Sequence, residues 1–352
     1  MNNDRSMAPA SGGQELDTAR LASYMGEHVS GFGGTLEAQR FKGGQSNPTY
    51  LLSAGVQRYV LRKKPAGHLL PSAHAVEREY RVITALSATD VPVARTFCLC
   101  EDVDVIGTPF YIMEYVDGRI LWDPALPGMT PAERAAIYDD VNRVVAALHK
   151  VDHQAVRLGD FGKPGNYFER QIARWTKQYR ASETERLESM ERLIDWLPAH
   201  IPASDETSIV HGDLRLDNMI FHPTEPRVLA ILDWELSTLG HPLADFAYHA
   251  LPWRLRSDEF RGMAEHDLAS LGIPSEAEYV RRYCERTGCP PVPQHEWNFY
   301  LAYSMFRLAA ILQGILRRAM DGTAASAEAM ETGTRGRRIA ELAWNQVQGT
   351  YS

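Results

Sequence analysis

Apolar and polar positions along the chain change period several times, and each change marks an element. Leu21, Tyr24, Met25 and His28 recur at i, i+3, i+4 and i+7, which predicts a short amphipathic helix. From Phe41 to Leu52, and again from Tyr59 to Arg62 after a turn at Ala54-Gly55, the pattern reads as strand, glycine loop, strand, turn, strand. Helix formers return between Ala73 and Leu86, with Val76, Tyr80, Ile83 and Leu86 as the buried stripe. Thr96 to Cys100 and Phe110 to Tyr115 then predict two further strands. The order is five antiparallel strands with one main helix inserted after the third.

Downstream the helical period dominates. Pro131 to Val151 predicts a helix with Ala135, Tyr138, Val141, Val145 and Leu148 facing inward, and further helices are expected over residues 166–198 and 255–345. Met320 to Arg338 is rich in Gly, Ala and Thr and reads as a mobile stretch. The expected fold class is therefore α+β, with a small β lobe over residues 1–115, whose first 14 residues form a disordered leader, and a larger, mostly α lobe over residues 116–352. A cleft between two lobes is a natural place for a ligand.

With 352 residues the chain is long enough for two cores. Hydrophobic residues at 44% and charged residues at 23% exclude disorder for its bulk. A net charge of −8 leaves no overall basic footprint for nucleic acid. No uninterrupted apolar run of about eighteen residues is present, and Met1 to Gly13 is polar, so a cytoplasmic protein with no membrane partner is expected. Cys98 and Cys100 alternate with Phe97 and Leu99 as strand residues do, and the Cys284/Cys289 spacing is not the usual zinc knuckle. Reduced, structural cysteines are expected.

The chemistry concentrates in one region. His211-Gly212-Asp213-Leu214-Arg215-Leu216-Asp217-Asn218 is followed by the apolar run Val228 to Leu232 and then by Asp233-Trp234-Glu235. An isolated His-Gly-Asp is often only a turn, with glycine left-handed and aspartate bonding its own backbone. Asp213, Asn218 and Asp233 in register ask for more than a turn. Phosphoryl transfer needs a carboxylate to orient the attacking hydroxyl, then an amide and a second carboxylate to hold magnesium on the nucleotide phosphates. In sequence order those roles fall to Asp213, Asn218 and Asp233, and His211 and Arg215 on the same loop complete the candidate catalytic set. Upstream, Gly43-Gly44-Gln45-Ser46-Asn47 reads either as a hairpin turn or as a loop whose Gly43, Gly44, Ser46 and Asn47 meet phosphate. Gly31-Phe32-Gly33 is no dinucleotide fingerprint, because Leu36 stands where the third glycine belongs.

The Asp213 to Asn218 spacing matches the protein-kinase catalytic loop, but Gly212 replaces its arginine and Asp233-Trp234-Glu235 replaces Asp-Phe-Gly. These segments, with Gly240-His241-Pro242-Leu243-Ala244-Asp245, resemble the aminoglycoside phosphotransferase and choline kinase superfamily, whose members phosphorylate small molecules. The resemblance implies a protein-kinase-like two-lobed fold, with ATP and Mg2+ as cofactors. It also places the phosphate-binding cation directly after Leu61, which selects Arg62 with Lys63 as the rival, and pairs it with Glu79. Arginine cannot lose its proton and forks onto phosphate. By the same likeness the backbone at Glu114 and Val116 holds adenine, Val116 to Arg119 forms the hinge or its exit, and Asp245 buttresses the catalytic loop. A helix-start cap is the other role open to Asp245, given Pro242 just before it.

Over nearly the whole chain, "FKGGQSNPTYLL", "VEREYRV", "YFERQIARWTKQY", "HGDLRLDN" and "ILDWELSTLGHPLADFAY" look like the kinase-like domain fused in some organisms to an acyl-CoA dehydrogenase. That likeness implies a hydroxyacyl-CoA or hydroxy acid as the phosphate acceptor in fatty-acid breakdown. With the sequence ending at Ser352, a separate acyl-CoA dehydrogenase is expected to act next. On the helix expected from Tyr167 to Arg180, Arg170, Arg174 and Lys177 share one face beside Trp175, either to meet a CoA phosphate or simply as a solvated surface. Three other readings compete: a pseudokinase that regulates a partner, an aminoglycoside or choline-type kinase, and a hydrolase using the carboxylates around a metal, which the strand order of the small lobe and the glycine loop disfavour.

Overall fold

The computed structural model describes residues 16–41, 47–65, 74–324 and 328–349. The chain forms two compact units, Met1–Ile120 with Asn218–Ser237, and Leu121–Asp217 with Thr238–Ser352. The first unit thus runs to Ile120 rather than ending after Tyr115, and it takes in a later segment that sequence order alone assigns elsewhere. The expected leader lies outside the described residues.

In the first unit, α1 (Thr18–His28) is capped by Asp17, whose side chain accepts from the Arg20 amide, and buries Leu21 and Met25. The sheet contains β1 (Glu37–Arg40), β2 (Thr49–Ala54), β3 (Gln57–Lys63), β4 (Thr96–Cys100) and β5 (Phe110–Glu114), antiparallel in the order β1-β2-β3-β5-β4. β1 starts before Phe41, and its exposed polar residues hide the alternation that would have announced it. One face of the sheet packs Leu52, Leu61, Cys98, Phe110 and Ile112 with Leu21 and Met25 of α1 into an apolar core.

The inserted helix α2 (Val76–Leu86) buries Val76, Val82, Ile83 and Leu86, but its stripe includes Glu79 while Tyr80 is half-buried. A buried carboxylate on an apolar stripe requires partners. Between β4 and β5 an extra turn of helix, α3 (Val103–Ile106), is capped by Asp102 and stopped by the left-handed Gly107. The later segment is a hairpin of Met219–Phe221 with Val228–Ile231. Phe221 also bridges to Arg119, and a Cβ at Gly118 would stand 2.3 Å from the Phe221 carbonyl oxygen, so only glycine allows this approach.

The second unit is mostly helical. α4 (Pro131–His149) starts at a capping box between Thr130 and Glu133 with proline in its first turn. Ile137, Tyr138, Val141, Val145 and Leu148 are buried, whereas Ala135 is exposed, because the period leading back from Tyr138 reaches Arg134 instead. Arg134 is buried with its Nε donating to the Ala125 and Leu126 carbonyls. The following elements are α5 (Tyr167–Ser182), α6 (Glu188–Ala199), the strand pair Ser208–Val210 with Thr238–Gly240, and α7 (Pro242–His249).

After the single turns α8 (Ser257–Phe260) and α9 (Leu268–Leu271), the chain ends in α10 (Glu276–Thr287), α11 (Gln294–Met320), α12 (Ala329–Thr334) and α13 (Gly336–Gln348). α11 is long and apolar enough to cross a membrane by length and composition, and 83% of that apolar window is buried inside the protein. It packs on α5, α7, α12 and α13. Arg307 interrupts its apolar run, which is why the sequence shows no continuous span. Of the stretch Met320 to Arg338, expected to be mobile, residues 329–334 are helical, and Gly333 lies so close to α11 that a Cβ there would meet Leu316 Cα at 2.6 Å. Gly333 there serves close packing.

Candidate active site

The Ser208–Val210 strand delivers the chain to His211, where the loop carrying Asp213 begins. Asp245 holds that loop by its backbone. Its Oδ2 accepts from the His211 amide at 2.7 Å and its Oδ1 from the Gly212 amide at 2.9 Å. His149 Nε2, at the end of α4, lies 3.3 Å from the same Oδ2, and His149 Nδ1 meets the Tyr283 hydroxyl at 2.7 Å. Burial alone would push the Asp245 carboxyl up, but the bond and charge of His149, with His211, hold it below its ordinary value. The cap of α7 is the His241 side chain, which accepts from the Leu243 amide, so Asp245 buttresses the loop.

His211 is fully buried, and its Nδ1 accepts from the Asp213 amide at 3.2 Å. It therefore shapes the loop. Gly212 has φ +84°, a left-handed position that suits glycine, and its carbonyl accepts from Arg307 Nη2. The Asp213 carboxylate is oriented from two sides, by Arg215 Nη2 at 3.2 Å from Oδ2 and by the Tyr248 hydroxyl. Burial first, and then Asp213, raise Tyr248 to about 12, so it remains a donor at neutral pH. A carboxylate fixed in this way can accept a hydrogen bond, and then a proton, from an acceptor hydroxyl.

The first unit gathers the groups expected to meet nucleotide and metal. Arg62 on β3 lies with Nε 2.6 Å from Glu79 Oε2, and its Nη2 reaches Asp233 Oδ1 at 2.8 Å and Glu235 Oε2 at 3.4 Å. Glu79 also accepts from Asn47 Nδ2 at 2.6 Å and from the Tyr111 hydroxyl at 3.1 Å. Burial pushes Glu79 up to about 7, with Arg62 and Asn47 pulling it back only in part. Between the rival cations, Arg62 is the one that faces Glu79. Lys63 is buried beside Arg40, which together with burial lowers its pKa.

Asn218 and Asp233 meet at one end of the Met219–Phe221 hairpin, since Met219 pairs with Ile231 and the Asn218 carbonyl accepts from the Leu232 amide at 2.7 Å. Asp233 is left-handed at φ +64°, a conformation uncommon outside glycine and tolerated best by asparagine and aspartate. Together the two residues offer an amide and a carboxylate oxygen, the hard donors that magnesium takes. Among the described residues no group of three or more His, Cys, Asp or Glu could hold a metal. Phosphate oxygens and water would therefore have to complete a magnesium shell, as is usual when the ion arrives with a nucleotide.

Glu114 ends β5 in solvent, its amide bonded to the Arg95 carbonyl at 2.8 Å, and Val116 follows half-buried. Gly43, Gly44 and Ser46 lie outside the described residues; Asn47 is buried between Glu79 and His74. Of the basic face on α5, Arg170 donates to the Gly165 and Lys163 carbonyls, whereas Arg174 and Lys177 are exposed. Trp175 is buried beneath Arg307 rather than presented to a ligand. Sequence reading missed Arg307, His149 and Tyr248. Arg307 carried a signal, a lone charge inside the longest apolar helix; His149 and Tyr248 carried none.

Three comparisons bear on this arrangement. The phosphotransferase enzyme family profile matches residues 37–320. Mouse acyl-CoA dehydrogenase family member 10 is 52% identical over 327 residues, covering 92% of this chain and 30% of that protein. Human acyl-CoA dehydrogenase family member 11 is 41% identical over 344 residues, covering 96% of this chain and 44% of its own length. The chain thus spans less than half the length of these curated relatives. A crystal structure from Ralstonia eutropha JMP134, provisionally named an aminoglycoside phosphotransferase, superposes with TM-score 0.88 at 59% identity, over 95% of this chain and 99% of that one. A mutant of aminoglycoside phosphotransferase APH(4)-Ia with ADP and hygromycin B shares the fold, with TM-score 0.58 at 15% identity over 93% and 98% of the two chains. By the family match over most of its length, the chain belongs to the phosphotransferase enzyme family.

Proposed function

We propose that the protein is an ATP- and Mg2+-dependent kinase that phosphorylates a hydroxyl of a small metabolite, a hydroxyacyl-CoA or the corresponding hydroxy acid. The observation that carries this reading is the Asp245 clamp. A buried carboxylate spends both oxygens on the His211 and Gly212 amides, which fixes the loop presenting Asp213. Asn218 and Asp233 would hold the metal and Arg62, steadied by Glu79, the nucleotide phosphates. When bound, ATP and magnesium supply the phosphoryl group and neutralise its developing charge. Asp213 orients the acceptor hydroxyl and takes its proton as the oxygen attacks; Tyr248 and Arg215 keep the carboxylate aimed.

The acyl-CoA part of the reading is supported by the names of the two mammalian relatives. An acyl-CoA dehydrogenase would then use the phosphorylated product. The name of the Ralstonia relative favours an aminoglycoside acceptor instead. The test is ATP consumption against a panel of hydroxy acids, their CoA esters and aminoglycosides, with Asp213→Asn as control. Turnover on hydroxyacyl acceptors should fall by about two orders of magnitude or more in Asp213→Asn, with ATP binding near normal. Nucleotide binding with no turnover on any acceptor would instead leave a regulatory pseudokinase.

A further inference from the structure

Beside the Asp213 loop the second unit contains an open cleft, lined by Trp122, Tyr138, Leu216, Leu251, Trp253 and Phe260 among others. It adjoins Asp213 through two of its other lining residues, Arg215 and Tyr248, which both touch the Asp213 carboxylate. The polar tips of its deeper aromatics are already used. Trp253 Nε1 donates to the Pro274 carbonyl at 2.9 Å, and the Tyr138 hydroxyl donates to the Pro124 carbonyl at 2.6 Å. What these side chains offer a ligand is carbon surface.

The charges in the lining point the same way. Its one carboxylate, Asp217, is held by Arg261, with Arg215 Nη2 3.5 Å away. A polycationic acceptor would meet two guanidinium groups and no free acid. An apolar chain carrying a carboxylate or a thioester carbonyl meets matching surface throughout.

We infer that this cleft binds the aliphatic chain of the acceptor, with Phe260 setting how much chain it admits and Arg261 facing its acidic or carbonyl end. The inference deepens the kinase reading above and rests on it only for the fate of the hydroxyl.

The test is kcat/KM across a series of straight-chain hydroxy acids that differ by one methylene. If each added methylene is buried, kcat/KM should rise by about fourfold per step until the cleft is full. Phe260 is half-buried, so its replacement is tolerable. Phe260→Trp should end the rise at a shorter chain and lower kcat/KM for the longest acceptor by about tenfold. Phe260→Ala should extend it, and KM for ATP should stay unchanged in both. Unhydroxylated fatty acids should compete with the acceptor and tighten with length in the unaltered enzyme, a readout that needs no variant.

Robust turnover with kcat/KM and inhibition both independent of chain length would overturn the inference and leave the kinase intact. If no hydroxy acid is phosphorylated, the kinase reading fails while the cleft is judged by binding alone. Chain-length-dependent quenching of tryptophan fluorescence would then support it, since Trp122 and Trp253 line the cleft; quenching that ignores length would overturn it. Competition by an aminoglycoside that matches the fatty acids would also overturn it.

Discussion

Arg307 donates a hydrogen bond to the carbonyl of Gly212, joining the middle of α11 to the turn just before Asp213. The guanidinium is buried and sits over the rings of Tyr248 at 4.7 Å and Trp175 at 5.3 Å. Buried cations usually face a carboxylate, but here planar stacking and a backbone acceptor take much of that role.

Arg307→Lys should therefore be far from conservative. A lysine keeps the charge but neither stacks nor reaches with a fork, so the Gly212 carbonyl loses its donor. The expected cost is about 1–3 kcal/mol in urea unfolding, with kcat lowered and KM for ATP little changed. A variant with unaltered stability and kcat would mean that the loop is held without α11.

Asp245→Asn separates the clamp from simple packing. The asparagine has the same shape but only one oxygen to offer the two amides of His211 and Gly212, and it turns an NH2 donor toward the other. Turnover should fall by about tenfold or more, again without a change in KM for ATP. Steady-state kinetics alongside calorimetric ATP binding will show whether the effect is confined to kcat.

For the metal, Asp233→Ala should abolish the magnesium dependence of nucleotide binding, because it removes the only carboxylate of the proposed pair and also a partner of Arg62. Calorimetry with ATP, with and without magnesium, measures this directly. Unchanged magnesium dependence would reduce Asp233 to the end of a hairpin.

Acid should weaken the second unit through its buried histidines. Burial lowers both His241 and His249 to about 4 from an ordinary 6.5. The unfolded chain therefore takes up their protons first as pH falls, so stability is retained above 6.5 and lost between 6.5 and 4. Over the span from pH 6.5 to 5 each contributes a loss of about 2 kcal/mol. His241→Asn, which can still cap α7, should flatten that slope in urea midpoints taken at pH 7 and pH 5. An unchanged slope would place the acid sensitivity elsewhere.

Local spacing explains which parts of this were legible in the sequence. Asp213, Asn218 and Asp233 lie within 211–233, so their register survives as a short-range pattern, and the five-strand order with one inserted helix follows from period and turns. Glu79 shows the limit of periodicity: a carboxylate occupies the stripe position given to Tyr80 because Arg62, Asn47 and Tyr111 satisfy it, and those partners come from three other segments. The site roles of His149 and Arg307 are hidden for the same reason, although the lone charge of Arg307 in an apolar helix marks it as unusual. Each lies on a helix whose period reports burial, and their value depends on contacts with Asp245 and Gly212 far along the chain. The first strand was misplaced because an edge strand in solvent does not alternate.

The membership of Asn218–Ser237 in the first unit has a consequence for how the protein is made. On the ribosome the five-stranded sheet emerges early, but the hairpin that bears Asn218 and Asp233 follows only after Leu121–Asp217 has been synthesised. The first unit is thus finished late, after much of the second has been translated. A gene fragment cut at Ile120 would encode the sheet with Arg62 and Glu79 but without Asn218 or Asp233, so the two units cannot be separated by a single cut.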